Sequence, residues 1–139
     1  MTKLLPRCSL MNETKRILIV EDEGIIATDL RAKLKRLGYT VVAMVSSGEE
    51  TLQRVGELKP DLILMDLGLK GAWDGIETAM RVHAQTDTPI VYLTAHADEA
   101  TLQRARATKP KAYLLKPFDL NELRAVLEKA LGLSPELQE

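Results

Sequence analysis

The run Ile17-Leu18-Ile19-Val20-Glu21-Asp22-Glu23 decides the fold. Its apolar part is short and does not alternate with polar residues, which describes a strand covered on both faces. Acidic residues follow at once, so the chain leaves the interior at a carboxylate-rich rim. The same apolar form recurs at Val41–Val45, Leu62–Met65, Ile90–Leu93 and Tyr113–Leu115, and each run precedes a helical pattern. Ile26, Leu30, Leu34 and Leu37 make one face of a helix over Gly24–Leu37, with Gly38 as its stop. A second helix is expected over Gly48–Leu58, opened by Ser46 or Ser47, with Glu49 and Glu50 in its first turn and Pro60 as its end. Asp74–Ala84, the Ala-rich Asp98–Ala107 before Pro110, and Asp119–Leu131 before Gly132 complete the set.

Strand and helix therefore alternate along the whole chain, joined by short connections. That order predicts an α/β fold: a doubly wound, flavodoxin-like (βα)5 unit with a five-stranded parallel sheet in the order 2-1-3-4-5 and right-handed crossovers. The expected domain is 15–132. Residues 1–14 are expected as a flexible extension or leader, with Met11 an alternative start, and 133–139 as a tail or the beginning of a linker.

Composition narrows the class. The chain has 139 residues and 15.5 kDa, one domain's worth. Lys plus Arg number 19 and Asp plus Glu 20, for a net charge of -1. That balance argues against a nucleic-acid binder held by phosphate contacts, and the few aromatic residues are too scattered for a stacking platform. The single cysteine, Cys8, makes no internal disulfide, and no apolar run reaches the length of a spanning helix, so a cytoplasmic location without membrane contact is expected.

Ligands on such sheets bind outside the carboxyl ends of the strands. Glu21, Asp22 and Glu23 follow the first strand, Asp66 ends the third, Thr94 ends the fourth, and Lys116-Pro117 ends the fifth. The predicted order sets the first, third, fourth and fifth strands side by side. Carboxylates gathered there repel one another by about 4 kcal/mol per pair at 4 Å separation, and a hard divalent cation such as Mg²⁺ relieves that repulsion while leaving positions for phosphate oxygens. Lys116 supplies a point charge and Thr94 a hydroxyl donor suited to a phosphoryl group. Taken singly, each residue has a plainer role as a solvated loop, a turn cap or an exposed lysine; their joint placement carries the inference.

These stretches, together with Pro60-Asp61-Leu62-Ile63-Leu64-Met65-Asp66, Asp74-Gly75-Ile76-Glu77, Tyr92-Leu93-Thr94-Ala95 and Tyr113-Leu114-Leu115-Lys116-Pro117-Phe118, resemble the response-regulator receiver domain of two-component signalling over about residues 15–131. The resemblance implies that Asp66 is the phosphoacceptor and that Glu21, Asp22, Asp66 and the backbone carbonyl of Gly68 organise Mg²⁺, with Mn²⁺ able to substitute. It implies that Thr94 and Tyr113 form the switch, that Lys116 pairs with phosphoryl oxygens, and that the Lys116–Pro117 peptide is cis. The implied partners are a sensor histidine kinase or phosphotransfer protein, and a downstream protein or a second copy reached through the fourth helix, fifth strand and fifth helix. The implied chemistry is self-phosphorylation from phosphohistidine and slow autodephosphorylation, with Gly68 and His96 beside the path of the hydrolytic water.

The sequence departs from the family in places. Glu21 stands where many members have a second aspartate, and the loop Leu67–Trp73 lacks the frequent Met-Pro pair. Trp73 is expected to anchor that loop against the third helix, and His83 to serve packing or the surface. Two rival enzymes on this fold are disfavoured: a flavodoxin lacks its phosphate loop here, and an aspartyl phosphatase lacks its Asp-x-Asp after the first strand. A phosphorylation-independent interaction module and a receiver cut from a larger regulator or hybrid kinase stay open. If the chain is whole, its output is expected to be another protein.

Overall fold

The computed structural model describes residues 14–95 and 97–133. The expectations placed on Cys8, on His96, on the leader and on the tail beyond Leu133 lie outside the described residues. Among those described, no helix is long and apolar enough to cross a membrane.

The elements run β1 (Arg16–Val20), α1 (Gly24–Arg36), β2 (Thr40–Val45), α2 (Gly48–Leu58), β3 (Leu62–Asp66), α3 (Gly75–His83), β4 (Ile90–Thr94), α4 (Glu99–Ala107), β5 (Ala112–Leu115) and α5 (Leu120–Ala130). All strand pairs are parallel, and the sheet order is β2-β1-β3-β4-β5. This is the doubly wound (βα)5 architecture read from the alternation.

Side-chain alternation sorts each central strand between two cores. Leu18, Ile63, Met65 and Tyr92 face α2, α3 and α4, while Ile17, Leu62, Leu64 and Val91 face α1 and α5. β3 and β4 are buried along their whole length, and so is β1 apart from Arg16. The expectation of strands covered on both faces fails at the sheet margins. β2 and β5 are edge strands, each with one neighbour in the sheet, and Met44 and Leu115 are 41% and 63% exposed.

Local signals set the helix starts. Ser47, Asp74, Asp98 and Asp119 are N-caps whose side chains accept from the amide three residues on, and Asp119 forms a reciprocal capping box with Glu122. The second helix ends at Leu58, and its C-cap Lys59, with a left-handed φ of 48°, turns the chain out before Pro60.

Tyr92 ties the sheet to α4. Its ring is fully buried, its hydroxyl meets Thr108 Oγ1 at 2.7 Å, and Thr108 in turn donates to Ala105 O. Burial raises the Tyr92 phenol to about 12. A folded-state value above the ordinary 10.0 means that the native state binds a proton the unfolded chain releases. The associated stability is complete below 10.0 and is lost as pH rises toward 12. Tyr92 should therefore contribute a fall of about 1.4 kcal/mol per pH unit across that window. Urea unfolding of Tyr92→Phe should show a shallower alkaline decline than the parent. An unchanged slope would remove Tyr92 from the account.

Candidate functional site

Register assembles the site. Val20 aligns with Met65, Asp66 with Leu93, and Thr94 with Leu115. Glu21, Asp66, Thr94 and Lys116 thus emerge at one rim from four adjacent strands. One carboxylate oxygen from each of Glu21, Asp22 and Asp66 lies within 4.8 Å of the others. Glu21 and Asp66 are buried, while Asp22 is half-buried and accepts the Lys70 amide at 3.2 Å.

Lys116 reaches into this cluster. Its Nζ donates to Glu21 Oε1 at 2.9 Å and to Asp66 Oδ1 at 3.5 Å. The Lys116–Pro117 peptide is cis, and the Lys116 amide donates back to Thr94 O at 2.8 Å. Asp66 Oδ1 also accepts the Gly68 amide at 2.9 Å, and Glu21 Oε2 accepts the Glu23 amide.

The electrostatics are unequal across the Lys116–Glu21 pair. Burial raises the Glu21 carboxyl, and the nearby Asp66 charge adds to it; the Lys116 bond opposes both without overcoming them. For Lys116, burial lowers the ammonium, but the Glu21 bond and the Asp66 charge together outweigh burial and raise it. The Glu21 side chain is fully excluded from water while Lys116 keeps a 13% opening, which accounts for the difference.

The remaining residues sort around this centre. Thr94 is 9% exposed at the edge of a 700 Å³ cavity that also holds Asp66, Gly68 and Lys116. Tyr113 stands on β5 with its ring 6.0 Å from Tyr92 at 29°, and its buried hydroxyl has no partner among the described residues. Trp73 lies against α3, with Arg81 Cζ 4.0 Å from its ring centroid. His83 Nε2 meets Thr88 O at 3.2 Å, a packing contact away from the rim.

Two features escaped the reading of the sequence. Gly75 opens α3 so close to the end of β3 that a Cβ would overlap the Asp66 carbonyl oxygen. Nothing in the Asp74-Gly75 pair marks this, since Gly24 also opens a helix after its N-cap and has open space around it. Arg104 of α4 reaches Asp74 Oδ2 at 3.4 Å and borders the cavity beside Asp66. No local pattern marks such a residue, since the contact depends on how α4 packs beside α3.

The transcriptional regulatory protein PdtaR of Mycobacterium tuberculosis strain H37Rv is 36% identical over 123 residues, covering 88% of this chain and 60% of that protein. ZraR of Escherichia coli K12, also a transcriptional regulatory protein, is 38% identical over 117 residues, or 84% of this chain and 26% of that one. The chain thus spans less than two thirds of these curated relatives. Among solved structures, the signal receiver domain of a modulated diguanylate cyclase from Desulfovibrio desulfuricans G20 superposes with a TM-score of 0.83 at 38% identity, covering 91% of this chain and all of that one. The receiver domain of the Pseudomonas aeruginosa sensor histidine kinase PA1611, solved with magnesium in its active site cleft, gives 0.77 at 32% identity, with 86% and 98% coverage. The family model for the response regulator receiver domain matches residues 17–128, the span from β1 into α5 that carries the whole rim, and the chain belongs to that family.

Proposed function

We propose that the chain is a phosphorylation-switched receiver. In this reading Asp66 accepts a phosphoryl group from a phosphohistidine on a sensor histidine kinase or phosphotransfer protein. The observation that carries it is the convergence of three carboxylates within 4.8 Å, bridged by a lysine that touches both Glu21 and Asp66.

The donor set fits a hard divalent cation: three carboxylates converge, and such ions take oxygen ligands while keeping waters. Glu21, Asp22, Asp66 and the Gly68 carbonyl would hold Mg²⁺, or Mn²⁺ in its place. When bound, the ion neutralises charge on the transferring phosphoryl oxygens.

The chain's own groups do the rest. An Asp66 carboxylate oxygen attacks phosphorus; the O–P bond forms as the N–P bond breaks, and the imidazole nitrogen keeps the electron pair. Lys116 stabilises the charge spreading over the phosphoryl oxygens, and positioning supplies most of the acceleration. The product is an acyl phosphate on Asp66. Thr94 donates its hydroxyl to a phosphoryl oxygen. Tyr92 and Tyr113 are register partners on β4 and β5, so a shift at the end of β4 alters the wall against which Tyr113 packs. The downstream face of α4, β5 and α5 changes by a shift in population, toward a protein target or a second copy. Gly68 is exposed and has no side chain, which leaves water a path to hydrolyse the bond slowly. Beside Lys116, a 550 Å³ cavity lined by Ile25, Ile26, Pro117 and Phe118 offers apolar contact to a phosphodonor domain, and Ile25 is 88% exposed.

A phosphorylation-independent binding role is the weaker reading, because the acceptor, the acidic pair and the lysine are all present and in contact. The test is mass spectrometry after incubation with Mg²⁺ and acetyl phosphate. One phosphoryl adduct is expected, lost with chelator and absent from Asp66→Asn. No adduct from any phosphodonor, or an adduct retained in Asp66→Asn, would reject the proposal.

A further inference from the structure

Apart from the cation that Glu21, Asp22 and Asp66 would hold, the cavity above Asp66 offers an anion little positive charge. Asp66, Asp74 and Asp98 line it, whereas a phosphodonor is an anion. Lys116 is already engaged by Glu21 at 2.9 Å and Asp66 at 3.5 Å. One further cation lines the cavity among its described residues, Arg104 from α4.

Arg104 is placed to move. Its Nη1 lies 3.4 Å from Asp74 Oδ2, and the two side chains are 56% and 38% exposed. A long, solvated pair of that kind contributes little stability. The capping role of Asp74 does not need it, since Oδ1, the other oxygen, accepts the Glu77 amide at 2.8 Å. Arg104 also borders two neighbouring cavities, one between α3 and α4 and one beside Trp73, so its guanidinium has open space on several sides. A planar guanidinium pairs with phosphoryl oxygens through parallel N–H donors.

We propose that Arg104 is an anion-contacting residue for the incoming phosphodonor, exchanging its loose pairing with Asp74 for the donor's phosphoryl oxygens. This rests on Asp66 being the acceptor. The role predicts discrimination by charge. Acetyl phosphate should depend on Arg104 more strongly than phosphoramidate, which is less negative.

The experiment follows phosphorylation of the full chain by intact mass, with Mg²⁺ and each donor in turn, in the parent, Arg104→Ala, Arg104→Lys and Asp74→Asn. Arg104→Ala should slow acetyl phosphate about fivefold, the scale of one partly exposed charge, and flatten its salt dependence. Phosphoramidate should be nearly unaffected, and Arg104→Lys, which keeps the charge but not the parallel donors, should recover only part of the rate. Asp74→Asn keeps the helix cap, because asparagine caps as well as aspartate, and it releases Arg104; acetyl phosphate should then react faster. A purely structural strut predicts the opposite, with both variants slowing both donors alike, and that result would overturn the proposal. A parent that reacts normally with an unchanged donor ratio in Arg104→Ala overturns this inference alone. A parent that takes no phosphoryl group from either donor overturns the acceptor role of Asp66 and this inference with it.

Discussion

Lys116→Met should lower the rate of Asp66 phosphorylation by about 10²-fold or more, the usual scale for removing one preorganised charge-stabilising group. It should also destabilise the metal-free protein by about 3 kcal/mol, because removing one partner of a buried pair strands the other. Methionine keeps the length and apolar bulk of lysine, so the loss is one of charge. Glu21, whose side chain is closed to water, then faces Asp66 with carboxylate oxygens within 4.8 Å and nothing between them. Glu21 can escape by taking up a proton, and that gives the effect a pH signature. Its folded-state value is already raised above 4.5, so its stabilising contribution is complete below 4.5 and is lost as pH climbs through the raised value. Without Lys116 that value rises further. The deficit of Lys116→Met relative to the parent should therefore be small below 4.5 and grow as pH rises. Urea unfolding in chelator across pH measures it directly. Asp66→Asn offers the matching contrast. It should also abolish the adduct, yet it removes one carboxylate from the cluster and keeps the 2.9 Å Lys116–Glu21 bond, so metal-free stability should rise. Equal destabilisation by both variants would discard the picture of a repelling acidic cluster held by one lysine.

The fold was legible because buried parallel strands have a plain signature. Ile17–Val20, Leu62–Met65 and Ile90–Leu93 are apolar without alternation because helices cover both faces, and these runs form the three central strands. The same argument overreached at Val41–Val45 and Tyr113–Leu115. Apolar composition does not distinguish an edge strand from a central one, and strand order had to come from connection rules. The convergence at the rim was legible too, because in a parallel sheet the residue after each strand has nowhere else to go. Net charge was a poor guide to nucleic acid. The curated relatives are transcriptional regulatory proteins, and the chain spans 60% of one and 26% of the other, so a value of -1 over this stretch does not bear on what such regulators touch. Contacts between consecutive helices were the least legible. Arg104 meets Asp74 across thirty positions of sequence, and nothing in either neighbourhood announces it.

Gly75→Ala tests how rigidly the backbone holds Asp66. A Cβ at Gly75 would overlap the Asp66 carbonyl oxygen and lie 3.1 Å from Leu67 Cα and 3.2 Å from the Asp66 carbonyl carbon. Every one of those atoms is backbone, so no side-chain rotation relieves the crowding. Either the start of α3 withdraws, or the end of β3 shifts and carries Asp66 with it. The first route strains the Asp74 cap and the buried contacts of Ile76 and Ala79; the second moves Asp66 away from Lys116. Overpacking of this kind should lower stability by about 3 kcal/mol. A displacement of about 1 Å at the reacting atom should slow phosphorylation by about 10²-fold. Gly24→Ala serves as the comparison, since it stands at the start of α1 with nothing within 4 Å and should be neutral or stabilising by up to about 1 kcal/mol. Urea unfolding and adduct formation from acetyl phosphate should then separate the two glycines sharply. If Gly75→Ala matches Gly24→Ala in both measurements, α3 can slide freely along β3, and the position of Asp66 is fixed by its side-chain partners rather than by the close backbone approach.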